Sequence, residues 1–577
     1  MGILKKNEEL NISSRVITGS KYILESLKEK GIQHIFMLPG KMVQPFMEDM
    51  TNMRGIHPVV VTHEASAGYM ADAYARVTQG VGVALSISSP GAMNLLPAVA
   101  SAWADGVPIL ALSGDVATHH EAKGAFQDGS ALGTNDVAVY QTVTGLASRV
   151  NHAERIPDYL AKAFERMALP NKLPAFIQLP LDVQKAKLDP KARPLETHQY
   201  PISANPQLVK MVADKLAQPD ARNLILLGPE ARNSRCAQVV IQLAEKLDIP
   251  VAVTLDAKGT FPEDHKMYLG VFGFAGHQRA MEALLSDAFD HVVTFGVNFD
   301  QRSSLCWSDQ LAKSAQWFCC SAKLGQYYLP LDSRKIHASP DEFLDQLWVR
   351  VQSEKVYSSC AHISWLNTLF TVPLHVQCDE FSSEYGIHPK EAICQLRLHA
   401  PRSSIVSVDS GSHRVFCAHY WQSYEPNQYL TSASTAPMGW AICAGVAAKL
   451  AQPEYTSIVI TGDGCMLMHG NEIQTAARYD IPVVFVVLNN SAHGGIHVET
   501  QKHQSFMPEL TKLPQHDWKK YAESLGLTAY RVSDPDLLPS VYQQALDSHR
   551  PCLIDVICRD DVCVPNTYYA KNNNNLL

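Results

Sequence analysis

Short β-branched and aliphatic runs alternate with longer stretches of helical period along most of the chain, in three blocks. That rhythm confines the fold to parallel sheets flanked by helices, because a parallel strand reaches its neighbour only through a long crossover. The first block carries runs around Ile35, at Val59 to Val61, Val83 to Ile87, Ile109 to Leu112 and Phe176 to Leu179, with a helical segment from Glu64 to Thr78 among them. The second carries Asn223 to Leu227, Val251 to Leu255 and His291 to Phe295. The third carries Ile405 to Val408, Ser457 to Thr461, Val483 to Leu488 and Cys552 to Ile557. The expected architecture is α/β, with three doubly wound parallel-sheet domains over 1–187, 207–352 and 387–562 and a tail over 563–577. Leu188 to Pro206 reads as a surface linker, Ser353 to Gly386 as a second irregular connection, and Lys571 to Leu577 as a disordered end. No fixed-period similarity relates the blocks, which argues against a solenoid.

The composition narrows the function classes. With 577 residues, 46% hydrophobic and 18% charged, the chain can bury several cores. Lysine and arginine number 49 against 57 acidic residues, and the net charge of -8 supplies no basic footprint for nucleic acid or anionic lipid. No run of apolar residues is long enough to span a bilayer, and the N-terminus lacks a signal-peptide core, so a cytoplasmic enzyme is expected. The 13 cysteines form no CxxC pair and imply neither a disulfide framework nor a structural zinc site of that kind.

The strongest chemical signal begins at Ser457, SIVITGDGCMLMHGNEIQTAARYDIPVVFVVLNNSAHGG. A buried strand ends in Gly462-Asp463-Gly464, a helix follows, and the next strand ends in Asn489-Asn490. In a right-handed β-α-β crossover those two strand ends lie side by side, so Asp463 and Asn490 can approach one ion. A carboxylate and an amide carbonyl are hard oxygen ligands suited to magnesium that keeps waters and phosphate oxygens in the rest of its shell. The flanking glycines let backbone N–H groups approach phosphates. Either motif alone is an ordinary turn; the pair at this spacing is what carries the argument.

GDG, some two dozen residues, then NN resembles the cofactor motif of the thiamine diphosphate enzymes. The resemblance implies that Asp463, the Asn490 side chain and the Ala492 carbonyl bind magnesium, which holds the cofactor's diphosphate. Such a cofactor reacts through a carbanion at C2 of its thiazolium ring, and its aminopyrimidine must be driven into the imino form by a buried carboxyl group. The candidate is Glu64 in VVVTHEASAGYMADAYARVTQG, where His63, Ala67, Met70, Ala71, Ala73, Tyr74, Ala75, Arg76 and Gly80 also match the family pattern. In the family this glutamate and GDG meet across two subunits, which implies a homodimer or homotetramer. The domains would then be pyrimidine-binding, central and diphosphate-binding in order. Met438 matches the residue that wedges the cofactor into a V, with Ala436 just before it; Ser410, Gly411, Ser412 and His413 match the diphosphate end; Ser88 to Asn94 matches the pyrimidine-side loop, making Asn94 a contact, and Gly40 is a further one.

Within the family the chain looks closest to the acetolactate synthase large subunit. Phe126 and Gln127 in KGAFQD fall where the reaction centre is lined, and Arg302 falls on the arginine that clamps an acceptor carboxylate. The implied reaction joins two 2-oxo acids, pyruvate above all, with loss of carbon dioxide; no nucleic-acid or membrane partner is expected, and a regulatory small subunit is admitted but not indicated. FAD is a candidate second cofactor because Leu269 to His277 partly resembles the loop that touches it. Three departures keep other products open: Lys41 replaces a glycine, Gly145 a lysine, and Glu499 a tryptophan. The competing readings are a related enzyme that makes an aldehyde, acetyl phosphate or another acyloin, and a cofactor-binding scaffold without turnover.

Overall fold

Every strand neighbour in the three large sheets is parallel, as buried β-branched runs joined by helical crossovers require. The computed structural model describes residues 16–189, 201–312, 315–323, 333–353, 359–375, 386–503 and 507–565. It divides into two compact units, Met1–Ala71 with Gly80–His198, and Asp72–Gln79 with Gln199–Leu577.

In the first unit β1 (Ile17–Thr18) is followed by β2 (His34–Met37), β3 (His57–Val60), β4 (Gly82–Ile87), β5 (Ile109–Asp115), β6 (Leu146–Arg149), β7 (Ala175–Pro180) and β8 (Lys187–Leu188). The main sheet runs β3-β2-β4-β5-β7-β6. β1 and β8 form an antiparallel clasp, Ile17 opposite Leu188, which ties the two ends of the unit together. Gly19 leaves that clasp with no room for a side chain, since a Cβ would meet the Val183 carbonyl oxygen at 2.6 Å.

The second unit holds two sheets. The central one contains β9 (Asn223–Leu227), β10 (Val251–Thr254), β11 (Tyr268–Phe272), β12 (His291–Phe295), β13 (Gln316–Ser321) and β14 (Ser333–His337), ordered β11-β10-β9-β12-β13-β14. The C-terminal one contains β15 (Ser404–Val408), β16 (Tyr429–Leu430), β17 (Thr456–Gly462), β18 (Val483–Asn489), β19 (Thr528–Val532) and β20 (Cys552–Ile557), ordered β16-β15-β17-β18-β20-β19. One continuous apolar core, from Ile225 and Val253 through Val406, Ile458 and Ile554, serves both sheets. The first and third sheets share a wiring that the central one does not. In the third, chain direction across the sheet reverses between β15 and β17, so the loops after those strands open a crevice, the place where open α/β sheets hold ligands.

The stretch expected to be irregular between Ser353 and Gly386 contains a helix, Cys360–Thr371, capped by the Ser359 side chain accepting from His362 N. The interior of the first expected linker, 190–200, and the tail Lys571 to Leu577 lie outside the described residues. No described helix is long and apolar enough to cross a membrane.

Candidate active site

The crevice of the third sheet is a cavity of about 390 Å³ built wholly from the second unit. All the cofactor and metal residues expected in this unit line it: Ser410 to His413 after β15, Ala436 and Met438, Gly462 to Gly464 after β17, and Asn490 and Ala492 after β18. The two strand ends are adjacent because Gly462 pairs with Leu488 across the β17–β18 ladder. Ser491 then takes a left-handed φ of 53°, which turns the chain before Ala492.

Asp463 is 2% exposed and anchors this turn. Main-chain N–H groups of Asn490 and Ser491 each donate to its Oδ2 at 2.9 Å, and Trp518 Nε1 donates to Oδ1 at 2.9 Å. Burial outweighs these bonds and raises its pKa. Asp409 organises the opposite wall: it accepts from Gly439 N at 2.8 Å and from Thr461 Oγ1 at 2.9 Å, joining the ends of β15 and β17 to the turn after Met438. Gly439 has φ 90°, and a Cβ there would lie 2.7 Å from His469, so only glycine fits this turn.

Where the family pattern places a cofactor, the residues present fit one. His413 Nε2 is buried with no hydrogen-bond partner among the described residues. A Cβ on Gly464 would lie 2.6 Å from Met438 Cε and 2.7 Å from His493 Nδ1, and one on Gly494 would lie 2.7 Å from Asn490 Nδ2. The wall therefore stays free of side chains where backbone must approach a phosphate, and a carboxylate with an amide supplies a hard-cation donor set. Arg302 reaches the same loop region: its Nη1 donates to the Ala433 carbonyl at 2.6 Å, and its guanidinium lies 4.7 Å from the Phe274 ring.

In the first unit, Glu64 opens the helix Glu64–Thr78 and is 6% exposed. Asn94 Nδ2, from the helix Pro90–Asp105 that follows β4, donates to Glu64 Oε2 at 3.0 Å. A Cβ on Gly91 would stand 3.2 Å from Glu64 Oε1, so a small residue keeps that face of the carboxylate uncrowded. Gly40, after β2, packs against Ile87, where a Cβ would come within 2.4 Å of Cγ2. Gln127 has φ 59°, and its carbonyl accepts from Ser88 Oγ at 2.8 Å; Phe126 beside it is 80% exposed. The structure thus pairs Glu64 with Asn94 and gathers the second-unit residues in one cavity. Lys41 and Glu499 are exposed. Asp409, Trp518 and His493 are site residues that the sequence reading does not single out; Asp409 immediately precedes Ser410, His493 lies in the NNSAHGG run, and Trp518 carries no local signal.

The chain matches three family models in order: the N-terminal thiamine pyrophosphate binding domain over residues 17–135, the central domain of those enzymes over 209–347, and the C-terminal thiamine pyrophosphate binding domain over 409–556. Thiamine pyrophosphate is the same molecule as thiamine diphosphate. Among curated proteins it is similar to the acetolactate synthase large subunit of Haemophilus influenzae, 27% identical over 92% of each chain. It is 28% identical to the isozyme 3 large subunit of Escherichia coli over 93% of each. It is equally similar, at 28% over 95% of this chain and 93% of the other, to YdaP of Bacillus subtilis, whose name refers to thiamine pyrophosphate and to no reaction. With all three domain models matched in sequence, and a third-sheet cavity lined as that chemistry needs, the chain belongs to the thiamine pyrophosphate-dependent enzymes.

Proposed function

We propose that the chain is a magnesium- and thiamine diphosphate-dependent carboligase that converts two pyruvates and one proton into 2-acetolactate and carbon dioxide. The observation that carries this reading is the convergence of four separate segments on one cavity that holds a buried carboxylate, an amide and an imidazole whose Nε2 has no partner among the described residues. When bound, the cofactor supplies a nucleophilic carbon that adds to the ketone and holds the electrons released with carbon dioxide.

The chain's own groups do the rest. Asp463, Asn490 and the Ala492 carbonyl hold the magnesium, and Ser410 to His413 with the N–H groups around Gly462 to Gly464 seat the diphosphate. Met438 fills the space that fixes the ring angle. Glu64, oriented by Asn94, exchanges a proton with the pyrimidine. Gln127 and Phe126 border the reacting carbon, and Arg302 pairs with the acceptor carboxylate as a bidentate donor. In the Leu269 to His277 loop Phe274 lies against Arg302 and His277 Nδ1 accepts from Val271 N; no step is assigned to FAD. A homo-oligomer is part of the proposal.

The reading is tested by mass spectrometry of the products from purified protein given pyruvate, cofactor and magnesium. 2-Acetolactate is expected. Acetaldehyde in its place, or acetyl phosphate once phosphate and dioxygen as electron acceptor are added, would establish the second reading, a relative with another product, which the departures at Lys41, Gly145 and Glu499 favour. Glu64→Gln should abolish C2 proton exchange while the cofactor stays bound; unchanged exchange removes Glu64 from the mechanism.

A further inference from the structure

Away from the cofactor cavity, the second unit buries a group of donors that the proposed reaction does not use. His277 precedes the helix Gln278–Leu284 of the central domain, His375 follows the helix Cys360–Thr371, and His419 lies in the helix Ser412–Tyr420. One ring nitrogen from each lies within 4.8 Å of the others. Both nitrogens of His419, which is 2% exposed, and Nδ1 of His375 are buried without a hydrogen-bond partner among the described residues. An unpaired buried polar group costs about 1–3 kcal/mol, so rings left this way call for a ligand.

We propose that His277, His375 and His419 form a binding site for a divalent transition metal, zinc foremost, that cross-links three segments of the second unit. Neutral imidazole is the ligand such ions prefer, and burial keeps all three rings neutral, pushing His375 to about 4 and His419 to about 3. Zinc–nitrogen bonds of about 2.0–2.1 Å bring donors to about 3.4 Å of one another, so the rings must close in by rotation.

His277 is already oriented for this. Its Nε2 donates to the Ala418 carbonyl at 3.0 Å, the kind of second hydrogen bond that fixes a metal-bound histidine. Its Nδ1 accepts from Val271 N at 3.2 Å, the weaker contact and the one that metal binding would replace. Gly270 keeps that side open, since a Cβ there would stand 3.0 Å from Nδ1. The buried cation Lys258, ion-paired with Glu263, still acts on all three rings and helps to keep them neutral, as Lys390 and Arg279 do at His375, so the metal binds against that charge.

The helix that carries His419 begins with Ser412 and His413, so the metal would brace a wall of the cofactor cavity from about 9 Å away along the helix axis. The site is distinct from the magnesium position and does not depend on the proposed reaction.

The test uses the full-length protein, stripped with a chelator and re-equilibrated with thiamine diphosphate and excess magnesium. Micromolar zinc is then added, and bound zinc is counted by plasma mass spectrometry after dialysis against the same zinc concentration. About one zinc per chain is expected, with affinity at least tenfold weaker in His419→Gln and in His375→Gln. Cobalt should give visible d–d bands that the same substitutions remove. If His419→Gln fails to fold, His375→Gln, at a half-buried position, carries the comparison. Wild-type protein that retains no zinc at micromolar concentration, or variants that retain as much as wild type, would overturn the proposal.

Discussion

Replacing Asp409 by asparagine asks whether burial or hydrogen bonding dominates at the loop that starts the diphosphate wall. The carboxylate is 1% exposed and accepts from Gly439 N, Ser410 N and Thr461 Oγ1. Burial still wins, pushing its pKa from 3.8 up to about 6. A carboxyl that binds its proton more tightly in the folded chain than in the unfolded one lowers stability once it must ionise. That loss grows as pH rises from the unfolded value toward the folded one and then levels off. A rise of about two units corresponds to about 3 kcal/mol at pH 7.5, and about 1 to 2 kcal/mol of it is already present at pH 5.

Asparagine keeps the shape, its carbonyl can retain both main-chain donors, and the Thr461 hydroxyl can reverse to accept from the new amide. In urea unfolding of the cofactor-free protein, the stability of Asp409→Asn relative to wild type should improve by about 1 to 2 kcal/mol between pH 5 and pH 7.5. A difference that stays constant over that range, or shrinks with rising pH, refutes the account of a carboxylate kept ionised against its surroundings. Asp409→Ala, which strands its donors, should destabilise at both pH values.

Trp518→Phe removes the Nε1 donor to Asp463, and the magnesium needed for half-maximal activity should rise about 10- to 100-fold; an unchanged requirement means that this bond does not orient the ligand. Gly464→Ala puts a methyl against Met438 Cε and His493 Nδ1, which must move aside into the cavity, so calorimetry should show cofactor binding weakened at least ~10-fold, about 1.4 kcal/mol; unchanged affinity would mean that the backbone here does not approach the phosphate. Burial holds His413 down to about 3, so its imidazole stays neutral from pH 6 to 8 and its share of cofactor affinity should be flat there. A tenfold change over that range that disappears in His413→Gln would contradict this.

The sequence revealed strands where both faces are covered. β17, β18 and β20 are almost wholly buried and read as mainly aliphatic and β-branched runs, with Asp555 the one charged residue inside them. The strands it misses include the edges β6, β14 and β19, whose half-exposed faces admit polar residues and erase the pattern. β11 and β13 are buried, yet Gly270 in the first and the cysteine pair in the second hide them from propensity. The site was legible where its ligands follow strand ends, as in GDG and NN. Trp518 stands 55 residues from Asp463 and Gly439 stands 30 from Asp409, so those contacts exist only once the sheet has formed. The common wiring of the outer sheets leaves no sequence repeat, because strand order is set by crossovers rather than by residue identity.

The clasp between β1 and β8 sets a clock. It brings Ile17 opposite Leu188 after the six-stranded sheet has received its last strand, β7, and all of these residues precede position 189. When Leu188 is added to the growing chain, the 275 residues leading to Asp463 are still to be made, which at about 5–20 residues per second is roughly 14 to 55 s of synthesis. The half of the machinery that carries Glu64 can thus shut its own ends while the chain that will carry Asp463 does not yet exist.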